Sequence, residues 1–379
     1  MADNQANSSR LNPRQLSMLL MVFVFGDSMI LLITRNDPQH NWIAYILAGI
    51  GGFLLLSSYL QIYKLNGKTP LTTICNNCFG RFAGSVLSIL YALFLMADAA
   101  LTVYNYDGFI LLSNYIYSPR WFVIAVLGII TIYALFKGIR VIGRTAEIFV
   151  WIILLAFVFV NIFDAGAMKM DNINPIIPID ALPIVKDAFY PLILNYGGMV
   201  AFLMLFPLTA DVNAIQKPLY AGTGIVTGVI TLQMLRALMV LGGSMLGRYI
   251  FPIHQSFFIG YPVKLEIIPD SAISLSVLIK VIVLLYASIM ILAKVFNTKK
   301  TSPFIIAVTL ATFLMSNYIF TSSLAISEFL MDTWVYAVAV FAVAIPVLLL
   351  IISLIRNGIK RNKPVLSHKR SMRRRPETG

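Results

Sequence analysis

Ten apolar segments, each of roughly membrane-spanning length, run through almost the whole of this chain. A helix needs about 20 predominantly apolar residues to cross the hydrocarbon core of a bilayer. Segments of about that length occupy residues 16–33, 42–63, 85–112, 121–136, 146–163, 187–208, 219–246, 272–296, 303–320 and 334–355. Because 59% of the residues are hydrophobic and only 12% are charged, a soluble core would lack the charges to cover it. The sequence therefore predicts an all-α integral membrane protein with ten transmembrane helices.

Positive charges are distributed unevenly between alternate loops. If the N-terminus is cytoplasmic, 21 Lys and Arg residues fall on the cytoplasmic side and 6 on the other. Short loops rich in Lys and Arg stay in the cytoplasm, so we predict a multi-pass cell-membrane protein with both termini cytoplasmic. Much of the net charge of +13 lies in the last 24 residues. This position indicates contact with anionic lipid and not with nucleic acid.

No soluble domain is predicted. Residues 1–15 form a polar cytoplasmic segment without a cleavable signal peptide. Residues 16–355 form the transmembrane domain, with halves at about 16–163 and 187–355, and residues 356–379 form a basic cytoplasmic tail. The chain carries no P-loop, H-E-x-x-H or G-x-S-x-G motif, and no nucleophile–base–acid set is recognisable. We therefore expect no enzyme activity and predict no cofactor.

A short amphipathic helix is predicted in the cytoplasmic loop between the second and third spans. Thr69 suits its N-cap, Pro70 its first position and Gly80 its end. Cys75 and Cys78 fall on its apolar face. A C-x-x-C pair also occurs in redox and zinc sites, but two thiols alone make an incomplete zinc site. We interpret both cysteines as packing residues and predict no metal site.

Glycines interrupt two spans near the middle of the membrane. The run F-G-D-S at 25–28 interrupts the first span, and Y-G-G at 196–198 interrupts the sixth. The two places are equivalent if the chain consists of two five-helix halves. Paired interruptions of this kind point to a transporter-type site, where freed backbone amides and half-helix dipoles meet a ligand. The alternative is that the glycines only permit close helix packing.

Four ionisable residues, Asp27, Asp98, Arg236 and Lys280, lie deep in the predicted spans. Charges in hydrocarbon are costly, so such residues line a polar cavity or pair with one another. Two acids and two bases also allow two structural ion pairs, and this alternative stays open. Thr102 lies one turn after Asp98 on the same helix face. The candidate ligand-binding residues are Gly26, Asp27, Ser28, Asp98, Thr102, Tyr196, Gly197, Gly198 and Lys280.

Four stretches, in order along the chain, resemble the spore germination receptor B-subunit family, a branch of the amino acid–polyamine–organocation transporter superfamily. They are L-N-P-R-Q-L at 11–16, N-G-K-T at 66–69 with F-G-R-F-A-G at 79–84, G-I-R-V-I-G-R-T-A-E at 138–147, and Y-G-G-M-V-A-F-L-M at 196–204. The resemblance extends over nearly the whole chain. It departs at Gly198, where the family often carries a glutamate, and at 271–276, where charged residues of the family are replaced.

The resemblance implies an inverted five-plus-five repeat of leucine-transporter type with broken first and sixth helices. It also implies nutrient sensing in the inner membrane of a dormant spore, with an A-subunit membrane protein and a C-subunit lipoprotein as partners. The expected ligand is a small nutrient, with an amino acid favoured, bound between the first, third, sixth and eighth helices. The alternatives are a proton- or sodium-coupled amino-acid permease and a structural scaffold for partner subunits, and the fold does not decide among them.

Overall fold

A computed structural model describes residues 10–30, 36–113, 119–178, 180–209, 212–249, 251–260, 267–298, 300–318 and 329–361. These residues are almost entirely helical, and an isolated β-bridge pairs Leu11 with Thr209. One large hydrophobic core extends through the bundle. The predicted all-α fold is confirmed.

Ten main helices are labelled α1 to α10 in chain order. They are α1 Pro13–Ser28, α2 Asn41–Leu65, α3 Arg81–Ser113, α4 Arg120–Lys137, α5 Ile139–Phe163, α6 Leu182–Tyr196, α7 Val212–Leu241, α8 Ile267–Val295, α9 Ser302–Tyr318, and α10, which joins Leu330–Trp334, Val335–Ala339, Val340–Ala344 and Ile345–Arg361. Within the described residues, 8 helices are long and apolar enough to cross a membrane, while Pro13–Gly26 and Ser302–Asn317 are apolar but shorter. Eight of the ten predicted spans thus correspond to helices long and apolar enough to cross a membrane, and the first and ninth spans stay predictions.

Several helices extend beyond the predicted apolar segments. α5 begins at Ile139 and not at residue 146, and α7 begins at Val212 and not at residue 219. Apolarity marks only the part of a helix inside the bilayer, whereas helical hydrogen bonding continues into polar sequence. Gly138 separates α4 from α5 with a φ of 82°, and Gly242 ends α7 with a φ of 74°. Both lie in the left-handed region that suits glycine.

Both predicted breaks coincide with a change in helix geometry. α1 ends at Ser28, the last residue of the F-G-D-S run, and a turn follows. Its 16 residues extend about 24 Å, which is less than the ~30 Å hydrocarbon core. α6 passes at Gly197 into a 3-10 segment, Gly197–Ala201. The chain then continues through the short helix Phe202–Leu205 and the 3-10 turn Phe206–Leu208.

α10 contains two π-helical segments, of which the second, Val340–Ala344, lies beside the α6 break. The regular i→i+4 hydrogen bonding is altered in such a segment. Tyr59 of α2 donates to the carbonyl oxygen of Ala342 at 2.6 Å. Tyr91 of α3 donates to the carbonyl oxygen of Phe341 at 3.0 Å. These two tyrosines therefore fix the π segment against α2 and α3.

α1 lies at the centre of the bundle, where it packs against α5, α7 and α8 and also contacts α6. α3 packs along α8, and α2 packs along both α6 and α7. α4 and α9 pack together at the periphery. α4 exposes Trp121, Ile129 and Tyr133, which suits a surface that faces lipid. This arrangement brings α1, α3, α6 and α8 together in the interior.

The predicted surface helix is present as Leu71–Phe79. Pro70 occupies the N-cap, so the helix begins one residue later than predicted. Thr69, the predicted N-cap, donates instead to the carbonyl oxygen of Asn66 at 3.0 Å. Gly80 follows the last helical residue with a φ of 83°, as predicted.

This short helix is docked against the ends of two long helices. Lys294 of α8 donates to the hydroxyl of Thr73 at 2.6 Å, and Arg356 of α10 donates to the carbonyl oxygen of Asn77 at 2.8 Å. We call this end of the bundle the N-terminal face, because the N-terminal end of α1 also lies there, where the backbone N–H of Leu11 bonds to the carbonyl of Leu208.

The opposite face is formed by interlocked loops. His40 lies 2.8 Å from the carbonyl oxygen of Pro175 through its Nε2. Gln39 donates to the carbonyl oxygen of Asn172 at 2.7 Å. The region predicted as a loop at 247–271 also contains a short helix, Pro252–Gly260, which contacts α7.

Candidate functional site

The interior of the bundle is built around Phe23 of α1, which is fully buried. A methyl group on Gly198 would lie 2.9 Å from Phe23 Cζ and 3.2 Å from Asp98 Oδ2. The 3-10 segment of α6 therefore touches both α1 and α3 at this glycine. Lys280 Nζ of α8 lies 5.3 Å from the centroid of the same phenylalanine ring, which is within cation–π distance.

Gly26, one turn beyond Phe23, faces α8. A methyl group there would lie 3.0 Å from Lys280 Cβ and 3.2 Å from the backbone oxygen of Ser276. A glycine at this point lets α1 approach the turn of α8 that carries the lysine. The residues that α1, α3, α6 and α8 bring together in this way are here called the central cluster: Phe23, Gly26, Asp98, Gly198 and Lys280.

The central cluster places charged groups in a buried environment. Asp98 is 7% exposed and Lys280 is 1% exposed. Two further predicted residues, Ser28 and Thr102, lie close in sequence to Gly26 and Asp98 of the cluster. Ser28 donates to the carbonyl oxygen of Val24 at 2.7 Å, and Thr102 donates to that of Asp98 at 2.9 Å. Such bonds satisfy a hydroxyl within its own helix.

Asp27 lies within α1, but its side chain is outside the described part of the chain.

Two other predicted residues face away from the central cluster. The Tyr196 hydroxyl lies 2.7 Å from Thr227 Oγ1 of α7, and its ring covers Gly52 of α2, where an added methyl would lie 2.5 Å from Tyr196 Cδ1. A methyl on Gly197 would lie 2.6 Å from Val338 Cγ1 of α10. Of the three residues in the Y-G-G run, only Gly198 faces the cluster.

One buried polar residue of α6, Asn195, is not among the predicted ligand-binding residues. Asn195 directly precedes the Y-G-G run and is 1% exposed. Its Oδ1 and Nδ2 atoms have no hydrogen-bond partner among the described residues. The sequence does carry a signal for Asn195, because polar side chains at membrane depth tend to be functional.

Arg236 lies outside the central cluster, toward the opposite face of the bundle. Its guanidinium forms an ion pair with Asp164 at the end of α5. It also donates to Ser256 Oγ at 2.8 Å and to Gln233 Oε1 at 3.0 Å. The centroid of the Phe257 ring lies 3.9 Å from its Cζ. Arg236 thus has a structural partner other than the deep acids of the first and third spans.

The two cysteines lie on the packed side of the short helix. Cys75 is fully buried, and the Cys78 sulfur lies 3.8 Å from Ser353 Oγ of α10. Within the described ranges, no three His, Cys, Asp or Glu side chains gather as potential metal ligands. Burial raises the pKa of the Cys75 thiol to about 12, so this thiol is a poor nucleophile at neutral pH.

Two solved structures share this fold. A structure described as the substrate-bound outward-open state of a Na⁺-coupled sialic acid symporter aligns with a TM-score of 0.66 at 12% identity, over 93% of this chain and 90% of that one. MhsT in complex with L-phenylalanine aligns with a TM-score of 0.57 at 12% identity, over 89% of this chain and 98% of that one. The helix order, the breaks and these alignments define a protein with the leucine-transporter fold.

The family follows from the sequence comparison. Residues 10–325 match the model of the family described as spore germination protein. Because this match covers most of the chain, the protein belongs to the spore germination protein family, and the predicted resemblance is confirmed.

Two curated relatives come from Bacillus subtilis (strain 168). Spore germination protein KB is 26% identical over 212 residues, which is 55% of this chain and 57% of that protein. Spore germination protein YndE is 21% identical over 245 residues, which is 62% of this chain and 65% of that protein. The chain spans less than two thirds of the length of either curated relative.

Proposed function

We propose that this chain is the membrane subunit of a nutrient-germinant receptor and that a small nutrient, an amino acid, binds at the central cluster and triggers germination. Membership of the germination family supports the role, and the transporter fold supports a small-molecule site at the helix breaks. The observation that carries the proposal is the convergence of Asp98, Gly198 and Lys280 around Phe23 in the interior. Family and fold are those of germination and transport proteins and not of enzymes.

The chemistry of the central cluster suits a zwitterion. An amino acid carries one carboxylate and one ammonium group. The Lys280 ammonium and backbone amides freed at the breaks are complementary to the carboxylate. The Asp98 carboxylate and freed carbonyls are complementary to the ammonium. In this proposal the ligand contacts also include Gly26, Asp27, Ser28 and Thr102, whereas Tyr196 and Gly197 hold the α6 break in position.

The Gly198→Ala variant tests the site with a single methyl group. This methyl would lie 2.9 Å from Phe23 Cζ and 3.2 Å from Asp98 Oδ2, so it narrows the central cluster. Alanine also favours a helix by about 1 kcal/mol relative to glycine, and the control variant carries the same change. We expect the nutrient concentration for half-maximal germination to rise by about tenfold or more, which corresponds to ~1.4 kcal/mol. The measurement is the germination dose response of spores that carry the variant at normal membrane abundance.

The matched control is Gly228→Ala in α7, where no described atom of a neighbouring helix lies within 4 Å of the added methyl. This variant should germinate with the wild-type dose response. If Gly198→Ala accumulates normally and also responds as wild type, the ligand does not bind at the central cluster.

A proton- or sodium-coupled amino-acid permease is the second candidate, favoured by the structural match to a Na⁺-coupled symporter. Deletion of the gene separates the two functions. A receptor deletion abolishes germination in response to a particular nutrient. Normal germination with every nutrient, together with lost uptake of one amino acid by growing cells, would establish the permease and exclude the receptor.

We also propose that the protein resides in the inner membrane of the spore with its N-terminal face and the tail at 356–379 in the cytoplasm. The excess of Lys and Arg on that side supports this orientation. The proposed partners are an A-subunit membrane protein and a C-subunit lipoprotein. Affinity purification from spore membranes should recover both partners, and recovery of the chain alone would contradict the assembly.

A further inference from the structure

Asn195 has an unusual position for a buried amide. It lies in α6 directly before the helix break and is 1% exposed. Neither its carbonyl oxygen nor its amide nitrogen has a hydrogen-bond partner among the described residues. A buried polar group without a partner loses its hydration and gains nothing in return. A leucine of similar size would avoid this loss, so the asparagine needs another explanation.

The contacts of the neighbouring residues identify the face of α6 on which Asn195 lies. Leu192 and Tyr196 pack on α2, where methyl groups on the facing glycines would lie 2.6 Å from Leu192 Cδ1 and 2.5 Å from Tyr196 Cδ1. Phe189 packs on α10, with its ring centroid 6.3 Å from that of Tyr336. Gly197 also faces α10. Two of the sides of α6 are therefore occupied by α2 and α10.

The remaining side of α6 carries Pro191 and Asn195, which lie one turn apart at i and i+4. Gly198 follows Asn195 by three residues in the 3-10 segment that continues the helix, where residues i and i+3 lie above one another. Gly198 contacts Phe23 and Asp98. Asn195 therefore lies one turn from this contact, on the side of α6 that faces the central cluster.

We propose that the Asn195 carboxamide binds the ligand of the central cluster directly and selects an α-amino acid. Its amide nitrogen donates to the ligand carboxylate, and its carbonyl oxygen accepts from the ligand ammonium. A carboxamide presents a donor and an acceptor side by side, as the backbone end of an amino acid presents an acceptor and a donor. The described charged residues of the cluster, Asp98 and Lys280, are of opposite sign. A zwitterionic ligand has no net charge, so its binding leaves the net charge of the cluster unchanged. This inference rests on the proposed function.

The test is an Asn195→Leu variant of the full chain, purified in detergent. Asn41→Leu is the matched control, because Asn41 is also 1% exposed and its two amide atoms also lack partners among the described residues. Asn41 begins α2 and lies near Ala44, which packs with Ile184. Ile184 precedes Asn195 by 11 residues of α6, which is about 16 Å along the helix. The control residue therefore lies well away from Asn195.

Binding of each of the twenty L-amino acids, and of glucose, fructose and inosine, is measured for the wild type and both variants by isothermal calorimetry and thermal shift. The wild type should bind at least one amino acid. Asn195→Leu should raise the dissociation constant of that amino acid by about tenfold or more, since two hydrogen bonds are lost. Its melting temperature without ligand should equal or exceed that of the wild type. Asn41→Leu should bind as the wild type.

The other outcomes separate this inference from the proposed function. Unchanged amino-acid binding by Asn195→Leu overturns the role of Asn195 and leaves the function intact. A lower melting temperature together with unchanged affinity assigns Asn195 a structural role and also overturns the inference. Binding of a sugar or nucleoside but of no amino acid overturns the ligand class while a nutrient receptor remains. If no compound in the panel binds the wild type, both the inference and the proposed ligand-binding function are wrong.

Discussion

Disruption of the ion pair between Arg236 and Asp164 should destabilise the protein strongly. The Arg236 side chain is 0% exposed and that of Asp164 is 3% exposed. Removal of one partner from a buried pair leaves an uncompensated charge, at a cost of roughly 3–5 kcal/mol. We expect a loss of this size for Arg236→Met and for Asp164→Leu. Replacement of both partners removes both charges, so the double variant should be more stable than either single variant.

The surrounding contacts support this magnitude. In Arg236→Met, the Ser256 hydroxyl keeps its own bond to the carbonyl oxygen of Ile253 at 2.6 Å, and the methionine can still pack on the Phe257 ring. The isolated Asp164 carboxylate is then the main source of the loss.

The measurement is the free energy of unfolding of the purified protein in mixed micelles, titrated with sodium dodecyl sulfate and followed by circular dichroism. Arg248→Met is the control, because this arginine is exposed near the opposite face and should change the free energy by less than about 0.5 kcal/mol. Additive losses in the double variant, or single losses below about 1 kcal/mol, would refute the reasoning.

Three further expectations concern the N-terminal face and the orientation of the chain. Maleimide at pH 8 should label Cys78 well before Cys75 in the folded protein, because burial raises the pKa of the Cys75 thiol to about 12 and little thiolate is present; equal labelling rates would contradict this. Cys75→Ser combined with Cys78→Ser should leave the germination response largely intact, and loss of bound metal together with loss of response would show that the pair is a metal site. A reporter that is active only outside the membrane should be inactive when it is fused after Ile355, and its activity there would refute the predicted orientation.

The fold could be predicted from the sequence because lipid imposes a simple pattern on it. Backbone polar groups have no water to bond with in the bilayer, so each long apolar segment must be helical. The helix ends were less predictable. α5 begins seven residues before the predicted apolar segment, at Ile139, because the polar residues that follow Gly138 are still helical. The pattern of apolar residues contains no information on where a helix ends outside the bilayer.

The candidate site was harder to predict, because it depends on which helices are neighbours in space. Arg236 pairs with Asp164, which lies at a helix end, whereas the predicted ionisable residues all lay deep in the spans. Asp98 and Gly198 meet across two helices that are distant in sequence. A single sequence shows which residues are polar at membrane depth, but the choice among possible partners is made by the packing.

The α6 break connects the candidate site to several other helices of the bundle. Its three consecutive residues contact different helices: Tyr196 contacts α2 and α7, Gly197 contacts α10, and Gly198 contacts α1 and α3. A leucine at Gly197 would clash with Val338, 2.6 Å from the first added carbon, and would displace α10 without filling the central cluster. We therefore expect Gly197→Leu to lower membrane abundance or germination while the surviving protein still binds ligand, whereas Gly26→Leu, which meets Lys280 directly, should abolish binding. Binding measurements on both purified variants distinguish these effects, and loss of binding in Gly197→Leu alone would show that the ligand lies on the α10 side of the break.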